Sequence, residues 1–184
     1  SWAAPTPTTD GKTVVALFAT GDIGAFDFEG NKLWIKHLGL PEMAYGYASS
    51  PIFYKDLVIV QWDTDAGAKL IALESKTGEV SWEAKRPDVW PSWATPIVIS
   101  VDGKDQIVAA GDPWVMGHDP SEKGKILWQA DAMGGDIAPS PIYTGKYVIA
   151  AYSNGAGTVA IDPTQKDDVT DKLVWEDFDG ASEM

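Results

Sequence analysis

The chain has 184 residues, a formal net charge of −13 from 14 basic and 27 acidic side chains, and no cysteine. That balance argues against nucleic acid and anionic membrane surfaces as partners, since both rely on clustered Lys and Arg. It also rules out disulfides and thiolate metal sites, and no apolar run approaches the roughly 18 residues of a membrane-spanning helix.

The predicted elements are short strands separated by turn signals, and no helix is expected. Residues 1–38 hold a first group, with Asp10-Gly11-Lys12 as its first hairpin turn, Glu29-Gly30 as its last, and Trp34 beyond. A loop over 37–47 carries Pro41, Tyr45 and Tyr47. The second group, 44–85, divides into Pro51–Tyr54, Leu57–Trp62, Lys69–Leu73 and Val80–Glu83, separated by Lys55-Asp56, Asp65-Ala66-Gly67 and Thr77-Gly78; β-prone runs punctuated by Gly turns read as hairpins. A loop with Pro87, Trp90, Pro91 and Trp93 leads into the third group, 91–131. Met133-Gly134-Gly135-Asp136 leads into the fourth, 134–177, which carries an insertion at 165–171 and lacks the turn glycine.

The four groups are copies of one unit. Ala25 and Asp27 lead through Gly30 to Trp34; Ala72 and Glu74 through Gly78 to Trp82; Gly117 and Asp119 through Gly124 to Trp128; Ala160 and Asp162 to Trp175. A proline opens each unit at Pro5 (or Pro7), Pro51, Pro96 and Pro141, a period of about 45 residues that signals a stacked or radial repeat. Four strands per repeat of this length is the pattern of a propeller blade. A Trp in the fourth strand buries a large apolar area, and the small residue in the third leaves room for that ring.

The spacing Ala-x-Asp-x-x-x-Gly-x-x-x-Trp resembles the tryptophan-docking motif of the quinoprotein (PQQ-like) β-propeller repeat. The resemblance covers essentially the whole chain. It implies an all-β propeller of four-stranded antiparallel blades, about four of them here. Rings of this family hold six to eight blades, so the chain is expected to form part of a larger ring; a half ring joined by a second copy and a closed four-blade ring stay open as alternatives. Exposed blade faces at open edges invite self-association. Ala25, Trp34, Ala72, Gly78, Trp82, Trp128, Ala160 and Trp175 are the expected docking residues.

Functional residues on propellers concentrate on loops held by the rigid scaffold. Tyr45, Tyr47, Trp62, Trp90, Trp93, Trp114, Asp136 and Asn154 are the expected ligand-binding face, with carboxylates beside aromatics that can stack on a flat ligand. The bland alternative is that these aromatics fill blade junctions. Asp63 and Asp65 sit in a tight turn that hints at a Ca²⁺ loop, although the glycine is misplaced, Glu74 at the twelfth position already belongs to the repeat, and a hairpin turn is the plainer reading, so no metal is expected. His118 is expected on the side away from the packed residues, and neither it nor His37 has a partner pattern for catalysis.

The resemblance implies a non-catalytic, extracytoplasmic binding or scaffold propeller, periplasmic or extracellular, that offers loops and blade edges to a protein or peptide partner. Its enzymatic relatives imply an alternative, a PQQ- and Ca²⁺-dependent alcohol or sugar dehydrogenase, for which Asp63 or Asp112 would be the base. Arg86 is the only arginine, so cations to pair with the cofactor's carboxylates are scarce, and no cofactor is expected on the first reading. A third reading is carbohydrate or polymer binding by the Trp-rich loops.

Overall fold

In a computed structural model, residues 5–152 and 157–178 are described; Trp2 and Asn154 lie outside them. The first sheet is β1 (Thr8–Thr9), β2 (Thr13–Leu17), β3 (Asp22–Asp27) and β4 (Lys32–His37). The second is β5 (Ile52–Tyr54), β6 (Leu57–Thr64), β7 (Gly67–Glu74) and β8 (Val80–Lys85). The third is β9 (Ile97–Val101), β10 (Lys104–Ala110), β11 (Trp114–Asp119) and β12 (Lys125–Asp131), and the fourth is β13 (Ile142–Tyr143), β14 (Val148–Tyr152), β15 (Gly157–Ile161) and β17 (Trp175–Asp177). Each is an antiparallel meander in sequence order. β16 (Asp167–Asp168), from the fourth unit's insertion, instead runs parallel to β12 and gives the third sheet a fifth strand. The sequence suggested only a loop there.

The core consists of seams between consecutive sheets, and strand alternation creates them. In β6, Val58, Val60 and Trp62 join Val15, Leu17, Ile23, Ala25 and Trp34 of the first sheet. The intervening Ile59 turns the other way, with Leu70 and Ala72, against Ile107 and Ala109 of the third sheet. Successive side chains of a strand point to opposite faces, so a sheet covered on both sides reads as a nearly continuous apolar run, as LVIV does here. The third seam joins Val108, Ala110 and Val115 to Val148, Val159 and Ile161.

Of the four repeated tryptophans, Trp34, Trp82 and Trp128 sit on these seams. All four pair across the sheet with a small residue: Trp34 with Ala25, Trp82 with Ala72, Trp128 with Gly117 and Trp175 with Ala160. In the first three sheets a β-bulge follows that small residue. The Trp34 indole N–H donates to the Ser75 carbonyl of the second sheet at 2.8 Å. Its ring lies over Gly78, where a Cβ would come within 2.5 Å of it; Gly78 also holds φ +71°, a conformation only glycine adopts without strain. Trp82 covers Gly124 of the third sheet in the same way. Trp128 differs. With glycine rather than alanine opposite, its ring folds onto Gly117 of its own sheet, and its N–H donates to Gln106 Oε1 at 2.8 Å. Gln106 Nε2 then reaches the Pro163 carbonyl of the fourth sheet at 3.1 Å, relaying the contact that Trp34 makes directly.

A second repeated link runs along the units' openings. Thr6 N donates to Ser50 Oγ at 2.8 Å, Ser50 N to Thr95 Oγ1 at 3.0 Å, and Thr95 N to Ser140 Oγ at 3.0 Å. Each of these residues precedes a proline, which places Pro7 rather than Pro5 in register with Pro51, Pro96 and Pro141.

Candidate functional site

Five segments converge beside the second and third sheets, and backbone bonds stitch them together. Asp65 N donates to Glu42 O, Trp90 N to Asp112 O, and Trp93 N to Ile137 O, each at 2.8 Å. The Trp93 indole N–H donates to Gly46 O at 2.8 Å, and Gly135 N to Asp112 Oδ2 at 2.9 Å. Between them lies a concavity of about 290 Å³, walled by Tyr45, Trp90, Trp93, Asp65, Asp112 and Asp136. Tyr45 and Trp93 have ring centroids 5.6 Å apart at 50°. Tyr45 is 72% and Trp90 69% exposed, which is unusual for aromatics held in an ordered loop cluster. No Lys or Arg lines it.

The structure thus brings together Tyr45, Asp65, Trp90, Trp93, Asp112 and Asp136 from the sequence-derived set. It separates the others. Trp114 is half-buried on β11 and does not line the concavity. Tyr47 and Trp62 are not on an open face. Tyr47 is fully buried, donates its hydroxyl to Gln61 O at 2.6 Å, and lies 5.0 Å from the buried Trp62; burial pushes its phenol above the usual range. Apolar alternation in β6 carries Trp62 into the first seam, which the aromatic count of the loops could not reveal.

Asp63 is also placed otherwise than a reactive surface base or a metal-loop ligand would be. It continues the Ile59–Gln61 face of β6 into the second seam, where it is fully buried and ion-paired with Arg86, also buried. Gln61 Nε2 lies 2.7 Å from Asp63 Oδ2, 3.0 Å from Ser92 Oγ and 2.8 Å from Ala110 O. Ser92 Oγ also donates to Ala110 O at 2.9 Å. Burial raises the Asp63 carboxyl, and the Arg86 guanidinium opposes that shift. Arg86, notable in the sequence only as the single arginine, is therefore the anchor of this seam, with its backbone N–H on Ala68 O at 2.9 Å. His118, expected on the alternate side from the packed residues of the motif, is fully buried, its Nδ1 2.9 Å from Gly124 O. Desolvation, aided by the Arg86 charge, lowers its pKa to about 3, so it is neutral.

A quinone cofactor bearing carboxylates does not fit these residues. The concavity offers three aspartates, and the one arginine is committed to Asp63. Among the described residues no group of three or more His, Cys, Asp or Glu side chains is placed to hold a metal ion.

Stacked four-stranded meanders joined by repeated tryptophan seams define a β-propeller of PQQ-like repeats. The chain belongs to the family described as outer membrane protein assembly factor BamB, which it matches over residues 1–90 and 66–177. No curated protein matches it in sequence. Among solved structures it is similar to BamB from Moraxella catarrhalis, at 16% identity and TM-score 0.53, covering 96% of this chain and 62% of that one. A europium-containing methanol dehydrogenase matches at 15% identity and TM-score 0.70, covering 93% and 40%. Quinohemoprotein alcohol dehydrogenase from Comamonas testosteroni matches at 15% and 0.65, covering 90% and 34%. At such identities the likeness is one of fold, and the chain spans less than two thirds of each of these relatives.

Proposed function

We propose that this chain is a non-catalytic binding module of a periplasmic or extracellular propeller, and that the loop concavity takes a protein or peptide segment presenting a basic side chain. The observation that carries the reading is the chemistry of the concavity: exposed Tyr45 and Trp90 beside Asp65, Asp112 and Asp136, with no cation among them. A guanidinium or ammonium over an aromatic face gains about 0.5–2 kcal/mol, more as water is excluded, and nearby carboxylates add charge-assisted hydrogen bonds. The net charge of −13 would steer such a partner in. Family membership supports the same reading, since the family is described by an assembly role at the outer membrane.

The fold likeness to two alcohol dehydrogenases favours a second reading, a quinoprotein alcohol or sugar dehydrogenase. The acidic lining argues against it, because a polycarboxylate cofactor would meet like charges there. Carbohydrate stacking on Trp90 is compatible with the aromatics, but a neutral sugar gains nothing from the net charge of −13 that steers a basic segment in. Titration with pyrroloquinoline quinone, with and without Ca²⁺, separates the first two readings. The expected result is no saturable change in cofactor absorbance and no dye reduction with simple alcohols. Stoichiometric, Ca²⁺-dependent binding with turnover would replace the scaffold by the enzyme.

A further inference from the structure

Each meander ends on its fourth strand, and at the third the chain adds one more strand from the following unit. β16 lies parallel to β12, with Asp167 opposite Trp128 and Asp168 opposite Gln129. Val169 N donates to Gln129 O at 2.9 Å, and Asp131 N to Thr170 Oγ1 at 3.0 Å. The residues just before the added strand, Pro163 to Lys166, stand beside Leu127 in the groove between the third and fourth units.

The first and second units offer the same site without that strand. Among the described residues β4 pairs with β3 alone. The turn between β7 and β8 closes tightly, with Gly78 N on Glu74 O at 2.8 Å, and no insertion reaches back from it. Trp34 is the register equivalent of Trp128, so Ile35 O and His37 N correspond to the Gln129 and Asp131 groups that the insertion satisfies. Leu33, in the place of Leu127, lines a groove of about 500 Å³ between these two units. Leu33 and Ile35 are 49% and 59% exposed. In β8, whose edge is also uncovered, the same positions are Ser81 and Glu83, which is how a solvated edge reads. Glu83 shares a face with Ile71 of the first seam and is still exposed, so this position reaches solvent with a neighbouring sheet in place.

The charge around β4 is uneven in a matching way. Lys32 and Lys36 lie on the strand, and Lys12 and Lys76 line the groove. None of the four is in an ion pair among the described residues. Asp10 and Asp56 are the carboxylates of the groove, and Asp10 Oδ1 is turned onto the Lys12 and Thr13 amides of its own hairpin. His37 is held by Asp22 at 2.9 Å. Positive charge thus gathers locally on a chain of net charge −13. Edge lysines deter pairing with like edges, whereas an opposite charge across a strand pair is favourable.

We infer that the β4 edge binds an extended acidic segment of a partner protein, added parallel to β4 as β16 is added to β12. Its backbone bonds Ile35 O and His37 N, and its carboxylates face the lysines. An apolar residue follows them, in the place of the buried Val169 that follows Asp167 and Asp168. Strand addition draws affinity from main-chain bonds and specificity from alternate side chains. The site shares no residue with the loop concavity and selects the opposite charge.

NMR titration of the intact chain with two ten-residue peptides tests this. One has the sequence of residues 163–172, and the other is its Asp167→Lys/Asp168→Lys version. The first is expected to give saturable amide shifts at residues 32–37. Ile35→Pro, which removes the N–H on the same side as Ile35 O, should abolish them. Lys32→Glu/Lys36→Glu should weaken binding about threefold or more. Circular dichroism checks that each variant folds. A Glu-Gly repeat has no β-branched residue, is a poor strand, and should not bind here. The inference is overturned by no saturable shift, by shifts at residues 125–131 in place of 32–37, by an equal response to both peptides, or by binding that neither variant weakens.

Discussion

Asp63 and Asp65 are two residues apart and have opposite fates. Asp63 ends a strand face packed against the next sheet and is buried with Arg86. Asp65 lies in the following turn, exposed, on the wall of the aromatic concavity. One carboxylate belongs to the scaffold and the other to the surface the scaffold presents. The difference comes from position in the pleat: the last residues of β6 still alternate between two covered faces, and the turn escapes both. Changes around Asp63 should therefore be read in stability, and changes around Asp65 in binding.

The largest expected effect is Arg86→Met. It leaves Asp63 ionisable, buried and unpaired, and breaking a buried pair in this way costs about 3–5 kcal/mol. Chemical denaturation should show the loss, and the double variant Arg86→Met/Asp63→Leu should regain much of it. A double variant no better than the single one would contradict the pairing account. Gly78→Val comes next, at about 2 kcal/mol or more, because a β-branched residue at φ +71° is strained and its Cβ would strike the Trp34 ring. Gly11, at φ +88° with open space around it, separates the terms: Gly11→Val should pay the strain without the clash.

His118 gives a pH signature of the same seam. Its folded pKa is about 3, below the unfolded value of about 6.5. Between those values the unfolded chain binds the extra proton, so stability falls as pH drops, by at most about 1.4 kcal/mol per unit from this residue. Stability curves at pH 7 and pH 5 should differ by about 2 kcal/mol from this cause, and His118→Gln should flatten that part of the dependence. The smallest stability effects belong to the concavity. Trp90→Ala and Asp112→Asn should each shift the unfolding free energy by less than about 0.5 kcal/mol, while lowering affinity for a basic peptide about tenfold.

Most of the fold was legible in the sequence. The period of small residue, turn glycine and tryptophan marked four meanders, because a bulky ring needs a small cross-strand neighbour, and that pair recurs at Ala25–Trp34, Ala72–Trp82 and Ala160–Trp175. The insertion at 165–171 was less legible. Its two-residue strand, Asp167–Asp168, is held by β12 of another unit, with Val169 N on Gln129 O at 2.9 Å, and no local pattern marks such a pairing. The concavity was half legible. Tyr45, Trp90, Trp93, Asp112 and Asp136 follow from loop position, since the loop between a blade's second and third strands shares a face with the inter-blade loops. Trp62 and Asp63 were misplaced because a polar or aromatic residue at the end of an apolar strand can finish in a seam, and only its partner across the seam decides; Tyr47 was misplaced because its loop tucks the ring against Trp62 and the hydroxyl onto Gln61 O. For Asp63 that partner is Arg86, distant in sequence. Gln61 at the same face of β6 was the available hint.

The central claim is that the loop concavity binds a basic peptide segment, and calorimetric titration tests it most directly. An Arg-Gly repeat peptide and its Glu-Gly counterpart would be titrated into the wild-type chain and into Trp90→Ala and Asp112→Asn. The account predicts saturable binding of the basic peptide alone, weakened by each variant and by added salt. Equal response to both peptides, or binding of the basic peptide that neither variant alters, would contradict it.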